Sequence, residues 1–383
     1  MNATNPKLAI LGIGTAVPEY RLNQADTAQR LSEALSHNTD SARWAKRLFK
    51  QCGVENRYTC EPNLLEKAQD CRYFSQQSLQ AVPTTAERME IYKRESLPLA
   101  LRAARNALQD GHADGSEISH LITVSCTGQF LPGLDTELVQ QLGLAPNVKR
   151  IPLNFLGCAA GLRAVCLAKE LAAHQHGAKV LIVSVELCTL HIQPSSKRED
   201  LFGASFFGDG ASACIVGHAS EEVSSGHFLL GDDHSVVLQG GAADMVWEVG
   251  NFGFDLYLST TIPKLIGQFV PEQISTLVGN KPVNLWAIHP GGRGIIEKLA
   301  DVYGLSEEQT RPSHTILRDY GNMSSATILF VLKEMKRELE EAKKEMTSGI
   351  ALAFGPGLTC EMIQITYVPR VQPELRQMDE AYV

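Results

Sequence analysis

The sequence of 383 residues lacks the patterns that mark several large classes of protein. It contains nine cysteines but no Cys-x-x-Cys pair, so neither a zinc ribbon nor a thioredoxin-like redox site is indicated. No apolar run is long enough to span a membrane. The net charge is −8 and the basic clusters are small, so no nucleic-acid partner is expected.

The composition is that of an ordinary globular protein, with 44% hydrophobic and 20% charged residues. Residues 1–6 are polar and do not resemble a signal peptide. The cysteines are odd in number and have no framework spacing, which is typical of a reduced compartment. We therefore expect a cytoplasmic protein in which a cysteine is either catalytic or buried.

Strand-like apolar runs alternate with helical patterns, which predicts an α/β fold with a layered sheet. Strands are predicted over residues 8–14, 120–126, 151–156, 179–186, 213–217, 285–289, 349–354 and 362–368. Helices are predicted over residues 23–35, 41–50, 97–108, 135–142, 162–174, 293–303 and 323–345, with another beginning at Thr85. A polar stretch near residues 219–226 separates two halves of similar element order, placed at 1–222 and 223–383.

The stretch 153–161 has the layout of a nucleophile elbow, because a strand ends in small residues around Cys158 and a helix follows at once. The small neighbours permit a sharp turn that exposes the sulfur. The positive end of the helix dipole would then favour the thiolate. The local sequence is equally compatible with a buried structural cysteine at a tight packing point.

Two residues of the second half have a matching placement at the ends of elements. His289 ends a predicted strand, and Asn322 lies in a turn that enters a helix. Open α/β sheets bind ligands beyond the carboxyl ends of their strands. Alone, His289 could be a hydrogen-bonded structural residue and Asn322 a helix N-cap. Together with Cys158 they supply a nucleophile, a base and a donor for charge on a carbonyl oxygen.

Several motifs in this order resemble the type III polyketide synthases, the chalcone and stilbene synthase superfamily on the thiolase fold. The matching stretches are residues 157–161 (GCAAG), 207–211 (FGDGA), 289–292 (HPGG), 320–326 (YGNMSSA) and 354–359 (FGPGLT). They are spread over nearly the whole chain, so coincidence is negligible.

The resemblance implies a homodimer whose subunits each contain two βαβαβ halves in a layered αβαβα arrangement. It implies that Cys158 takes an acyl group from acyl-CoA, while His289 and Asn322 promote decarboxylation of malonyl-CoA and stabilise the enolate. Repeated condensation and ring closure follow, without a metal or other cofactor. A positively charged His289 beside Cys158 would lower the pKa of the thiol.

The resemblance also assigns substrate positions. Phe207 matches an aromatic residue between the CoA tunnel and the cavity, although it could be a core residue beside a turn. Lys46, Arg47 and Lys50 fall where the family has basic residues for CoA phosphates, but a solvated helix face fits them as well. The other substrate positions implied are Cys126, Leu131, His191, Leu256, Gly355 and Pro356.

Departures from the plant pattern bear on the starter. Leu256 aligns with a cavity aromatic, Cys126 replaces a small hydroxyl residue, and Ala159 replaces an aromatic. These changes predict room for an aliphatic, fatty starter and an alkylresorcinol or alkylpyrone product. His191 adds bulk and argues the other way. The alternatives are an aromatic starter, an initiating ketoacyl synthase of fatty acid synthesis, and a non-catalytic subunit.

Overall fold

The computed structural model describes residues 7–74, 79–175, 177–219 and 226–370. The strands are β1 Leu8–Ala16, β2 Tyr20–Asn23, β3 Asn56–Thr59, β4 Ile118–Ser125, β5 Lys149–Asn154, β6 Lys179–Leu187, β7 Asp209–His218, β8 His227–Val237, β9 Met245–Gly250, β10 Gly253–Leu258, β11 Leu285–Ile288, β12 Thr347–Gly355 and β13 Thr359–Val368. The helices are α1 Gln24–Ala34, α2 Thr39–Gln51, α3 Thr85–Asp110, α4 Leu134–Gln141, α5 Ala160–His174, α6 Arg198–Phe206, α7 Ile262–Val278, α8 Arg293–Tyr303, α9 Glu307–Tyr320 and α10 Thr327–Glu341.

The main sheet has nine strands in the order β11-β12-β13-β8-β1-β7-β6-β4-β5. On each side of the central β8–β1 pair, the next two strand pairings are antiparallel and the third is parallel. The predicted α/β fold and its two similar halves are therefore present in the strand order. The predicted boundary between residues 222 and 223 lies outside the described residues, as do residues 1–6.

Helices α5 and α10 form a central layer. Their apolar residues share one core with inward residues of strands from both halves, such as Ile122 on β4 and Ala351 on β12. Helices α3 and α4 cover the outer face of the first half, and α7 to α9 cover the outer face of the second. A helix covered on both sides must be apolar almost all round, and α5 has that composition.

Some elements differ from the prediction. The 26-residue helix α3 runs unbroken through Pro98, although the sequence indicated one helix beginning at Thr85 and a second near Leu97. Packing of α3 along β1, β7 and β6 stabilises the helix through the proline. The sequence analysis did not predict strand β8, the helices α6, α7 and α9, or the ribbons β2–β3 and β9–β10.

Two absences hold for the part of the chain that the structure describes. None of its helices combines the length and apolar character needed to cross a membrane. In the same residues, no group of three or more histidine, cysteine, aspartate or glutamate side chains could hold a metal ion.

The N-termini of α5 and α10 meet at Gly161. A Cβ atom on Gly161 would overlap the carbonyl oxygen of Ser325, in the short 3₁₀ turn Ser324–Ala326 before α10. The two helices can approach this closely only because residue 161 has no side chain. Their approach brings residues of both halves to one place.

Gly161→Ala should therefore lower the free energy of unfolding by about 1–3 kcal/mol, because the new methyl group pushes on backbone that cannot move aside cheaply. Urea unfolding measures this. The matched control is Gly267→Ala in α7, where the nearest atom is the flexible Lys298 side chain, 2.7 Å from the Cβ position. That change should cost less than about 0.5 kcal/mol or stabilise the helix. Equal losses in both variants would contradict this account of Gly161.

Candidate active site

Cys158 lies at a sharp turn between β5 and α5. Gly157 has a φ of +69°, and a Cβ there would overlap the ring of Pro356. A 3₁₀ turn over Gly157–Ala159 then leads into α5. Glycine is therefore required before the cysteine by both backbone angle and space. The predicted elbow is present, and Cys158 is partly exposed at the wall of a cavity.

Asn322 follows α9 and is fixed through its backbone and its side chain. Its N–H donates to the carbonyl of Phe206 at 2.8 Å, and its carbonyl accepts from the N–H of Gly208 at 3.0 Å. The side-chain Oδ1 accepts from the N–H of Ser324 at 2.8 Å and from the Thr327 hydroxyl at 3.4 Å. These bonds leave Nδ2 pointing toward the Cys158 sulfur at 3.9 Å. The amide therefore presents a donor to the cavity.

His289 lies directly after β11 and is fully buried. Its N–H donates to the carbonyl of Leu352 at 2.9 Å. Neither ring nitrogen has a hydrogen-bond partner among the described residues. The nitrogen Nε2 lies 3.7 Å from the Cβ position of Gly291, which does line the cavity. His289 therefore stands behind the cavity surface with unused hydrogen-bonding capacity.

The electrostatics of this pair differ from the prediction. Burial lowers the pKa of His289 to about 3. Burial raises the pKa of Cys158 to about 11; Ser324 and Asn322 lower it by hydrogen bonding, and the charge of Glu186 raises it. Both groups are therefore neutral near pH 7 in this structure. The expected charge pair, and a thiol pKa lowered by it, are not found, because burial disfavours the charged form of both groups.

The cavity beside Cys158 has a volume of about 520 Å³ and a mostly apolar wall. Its predicted members are Cys158, Asn322, Cys126, Phe207, Leu256 and Pro356. Further lining residues include Cys188, Phe202, Phe206, Met245, Trp247, Leu258, Ile262, Ile295, Ser324 and Phe354. Gly355 ends β12 beside Pro356 and packs against Ala159 instead of lining the cavity.

Leu131 does not reach the cavity within this chain. It lies in a surface loop, precedes Pro132 through a cis peptide bond and is 92% exposed. Ala159 is buried in the core, with its Cβ 3.1 Å from the Cβ position of Gly355. The idea that Ala159 enlarges the cavity is therefore wrong, because the residue faces the neighbouring strand.

His191 lies behind the wall of the main cavity and does not line that cavity. Its Nε2 bonds the carbonyl of Thr127 at 2.7 Å, and its Nδ1 accepts from the N–H of Phe254 at 3.0 Å. The ring stacks on that of Phe254 with centroids 4.2 Å apart, and it meets Trp247 edge-on. Burial lowers its pKa to about 3, so it is neutral. It lines a side pocket of only about 30 Å³.

The predicted basic residues lie on α2, whose C-terminal end forms one rim of the cavity through Leu48, Gln51 and Cys52. Lys46, Arg47 and Lys50 are all exposed. Arg47 bonds the rim residue Gln51 at 3.3 Å. None of the three lines the cavity itself.

The sequence analysis missed Glu186, which is fully buried on β6 behind Cys126. It accepts hydrogen bonds from the N–H of Cys126 at 3.1 Å, from the Thr127 hydroxyl at 2.7 Å and from the Ser325 hydroxyl. Burial raises its pKa, and these bonds oppose that shift. A single carboxylate near the end of a mostly apolar strand was the signal that could have identified it.

Comparison with known proteins decides the family. The chain matches the model of the chalcone and stilbene synthase N-terminal domain over residues 1–220 and that of the C-terminal domain over residues 235–369. The chain belongs to the chalcone and stilbene synthase family. It is therefore a type III polyketide synthase, a transferase that performs decarboxylative Claisen condensation with acyl-CoA and malonyl-CoA as substrates.

Relatives match over most of this type III polyketide synthase. It is 30% identical over 359 residues to the alpha-pyrone synthesis polyketide synthase-like Pks18 of Mycobacterium tuberculosis, covering 92% of this chain and 89% of that protein. It is 34% identical over 374 residues to type III polyketide synthase 21 of Oryza sativa subsp. japonica, covering 93% and 92%.

Solved structures agree with the predicted thiolase-like fold. The crystal structure of PKS-I from the brown alga Ectocarpus siliculosus has a TM-score of 0.87 at 26% identity, covering 97% of this chain and 100% of that one. The C-terminal type III polyketide synthase domain of Steely1 from Dictyostelium has a TM-score of 0.85 at 26% identity, covering 95% and 100%.

Ser324→Ala should shift the pH profile of Cys158 alkylation by iodoacetamide upward by roughly half to one pH unit. The Ser324 hydroxyl, which lies 3.1 Å from the Cys126 sulfur, lowers the pKa of the neighbouring Cys158, so its loss should raise that pKa and slow alkylation at a fixed lower pH. Peptide mass spectrometry follows Cys158 separately from other cysteines. Ser259→Ala, which removes a hydroxyl at the rim of the same cavity, should leave the profile unchanged. An unshifted Ser324→Ala profile would refute the assignment.

Proposed function

We propose that the protein extends an aliphatic acyl-CoA starter by repeated condensation with malonyl-CoA and closes the product to an alkylpyrone or alkylresorcinol. Cys158 carries the growing chain, and His289 and Asn322 generate the carbanion. The observation that carries the proposal is the convergence of a partly exposed thiol and an oriented amide donor, 3.9 Å apart, on one apolar cavity.

Acylation begins at the Cys158 sulfur. The sulfur attacks the thioester carbon of the starter, a new carbon–sulfur bond forms, and the bond to CoA breaks. The thiol proton leaves with the departing CoA thiol. Because burial keeps the resting thiol protonated, hydrogen bonds from Ser324 and Asn322 are needed to support negative charge on sulfur.

Decarboxylation then supplies the nucleophile. The carbon–carbon bond between the malonyl α carbon and its carboxylate breaks, and CO₂ leaves. The electron pair of that bond is delocalised onto the thioester oxygen, which gives an enolate. Asn322 Nδ2 and a protonated ring nitrogen of neutral His289 are the donors that stabilise this oxygen. The enolate carbon attacks the acyl-Cys158 carbonyl, and the sulfur is released when the chain passes to the malonyl-derived thioester.

The wall of the cavity supports an aliphatic starter. Phe207, Trp247 and Leu256 present apolar surface, and each buried methylene contributes about 0.8 kcal/mol. The side pocket beyond this wall is closed by His191 and Phe254, which hydrogen-bond and stack on each other. A starter chain therefore has to fit the main cavity, and its length is limited by that volume.

Two further points of the proposal concern the product and the assembly. The printed name of the Mycobacterium tuberculosis relative concerns alpha-pyrone synthesis, which favours a pyrone over a resorcinol. The homodimer implied by the family stays a prediction. The exposed side chain of Leu131 is compatible with it, since an apolar residue 92% exposed in one chain has surface available to a partner.

Purified protein given malonyl-CoA and a series of starters should use saturated acyl-CoAs of intermediate length best. Product yield, measured by liquid chromatography and mass spectrometry, should rise with chain length and then fall once the cavity is full, because the wall near His191 is closed. The product yield with aromatic starters should be lower by a factor of roughly ten or more. A factor of ten corresponds to a free-energy difference of about 1.4 kcal/mol.

His191→Ala is the matched variant for this series. Removal of the ring should enlarge the side pocket, which shares Phe207, Trp247 and Leu256 with the main cavity, and so move the optimum to longer chains. A clear preference of the unchanged protein for aromatic acyl-CoA starters would overturn the proposed substrate class. One condensation only, onto an acyl carrier protein, would instead support the ketoacyl synthase alternative.

A further inference from the structure

Charge is scarce at the cavity. Among the described lining residues, Arg293 and Glu297 alone carry charged side chains, and both lie at the start of α8. The Arg293 side chain crosses the rim toward α2, with Cδ 3.4 Å from the Cβ position of Gly53. A guanidinium therefore stands at the mouth, between α2 and α8.

The contacts of Arg293 leave part of its guanidinium available. Its Nε donates to Glu297 Oε1 at 2.6 Å, and both side chains are 52% exposed. The described residues provide no hydrogen-bond partner for the two terminal Nη groups. An exposed ion pair of this kind contributes little stability, so an incoming anion can replace or extend it at small cost. The free edge matches the fork geometry that arginine uses for phosphate.

The surroundings favour an anion at this place. Helix α8 has 11 residues and begins at Arg293, after Gly292, which provides no side-chain cap; both residues line the cavity, so the positive end of the helix faces the rim. Across the rim, α2 presents Arg47 and Lys50 to solvent. Glu297 is the opposing charge, and it competes with any anion for the guanidinium. His314 lies near both Arg293 and Glu297 and has a lowered pKa through burial, so it adds no positive charge.

We propose that Arg293 binds a phosphate group of the CoA thioester substrates, and that Glu297 holds the guanidinium in the free protein until the phosphate replaces it. This rests on the proposed function in that both substrates carry CoA. Arg293 is then a specificity residue for the carrier, distinct from the residues that act on the thioester.

The test compares Arg293→Gln with the unchanged protein on two substrates. With malonyl-CoA, KM should rise roughly tenfold with kcat unchanged, because a charge-assisted hydrogen bond outside the reacting group is lost. With malonyl-pantetheine, which lacks all CoA phosphates, kcat/KM should be the same for both proteins. Malonyl-dephospho-CoA, which lacks only the 3′-phosphate, identifies the phosphate that Arg293 contacts. If Arg293 contacts the pyrophosphate, Arg293→Gln still raises KM for this substrate. If Arg293 contacts the 3′-phosphate, the two proteins have the same KM for it.

Two further variants complete the design. Glu297→Gln should lower KM for malonyl-CoA by roughly two- to threefold, since the competing charge is gone. Arg318→Gln, which removes an exposed arginine paired with Asp319 away from the cavity, should change neither substrate. Two results would overturn the proposal: an equal loss of kcat/KM for Arg293→Gln on malonyl-pantetheine, or a rise of KM for malonyl-CoA in Glu297→Gln. Either result would show that the Arg293–Glu297 ion pair supports the structure and does not bind phosphate. Absence of any product from the unchanged protein would instead remove the proposed function.

Discussion

The structure depends on one close contact, the approach of the α5 and α10 N-termini at Gly161. The carbonyl of Ser325 occupies the space that a Cβ on Gly161 would need. This contact joins the two halves where each has its turn into a central helix. It brings Cys158, which belongs to the first half, beside Asn322, which belongs to the second. Neither half alone contains both the thiol and the amide donor.

The same packing determines the electrostatics of the site. Burial keeps His289 and Cys158 neutral, and Glu186 lies behind Cys126 in a set of hydrogen bonds. A mostly apolar cavity suits a thioester that must survive until malonyl-CoA arrives, because apolar walls disfavour the water that would hydrolyse it. The cost is a less reactive thiol. The hydrogen bonds from Ser324 and Asn322 offset part of that cost.

The sequence predicted the parts of the site that depend on local chemistry. Gly157 before Cys158 is constrained by its backbone angle, and Asn322 is constrained by the turn in which its side chain accepts from the N–H of Ser324. Their placement could therefore be predicted from neighbouring residues. The fold class followed from the alternation of strands and helices. The family resemblance supplied the pairing of residues that lie far apart in the chain.

What the sequence could not predict depends on packing between distant segments. Both ring nitrogens of His191 are used by backbone groups, which turns an expected cavity residue into a wall. Ala159 faces a neighbouring strand, and Leu131 faces solvent. Pro98 is tolerated inside α3 because three strands support that helix. The outcomes for His191, Ala159 and Pro98 are set by contacts with residues more than thirty positions away.

The central claim is that Cys158, among the several cysteines of the cavity, is the residue that carries the acyl chain. The most direct test is intact-protein and peptide mass spectrometry after brief incubation with an acyl-CoA starter and no malonyl-CoA. The account predicts one added acyl group per chain, located on Cys158 and absent from Cys158→Ala. An acyl group on Cys126 or Cys188, or one retained by Cys158→Ala, would contradict it.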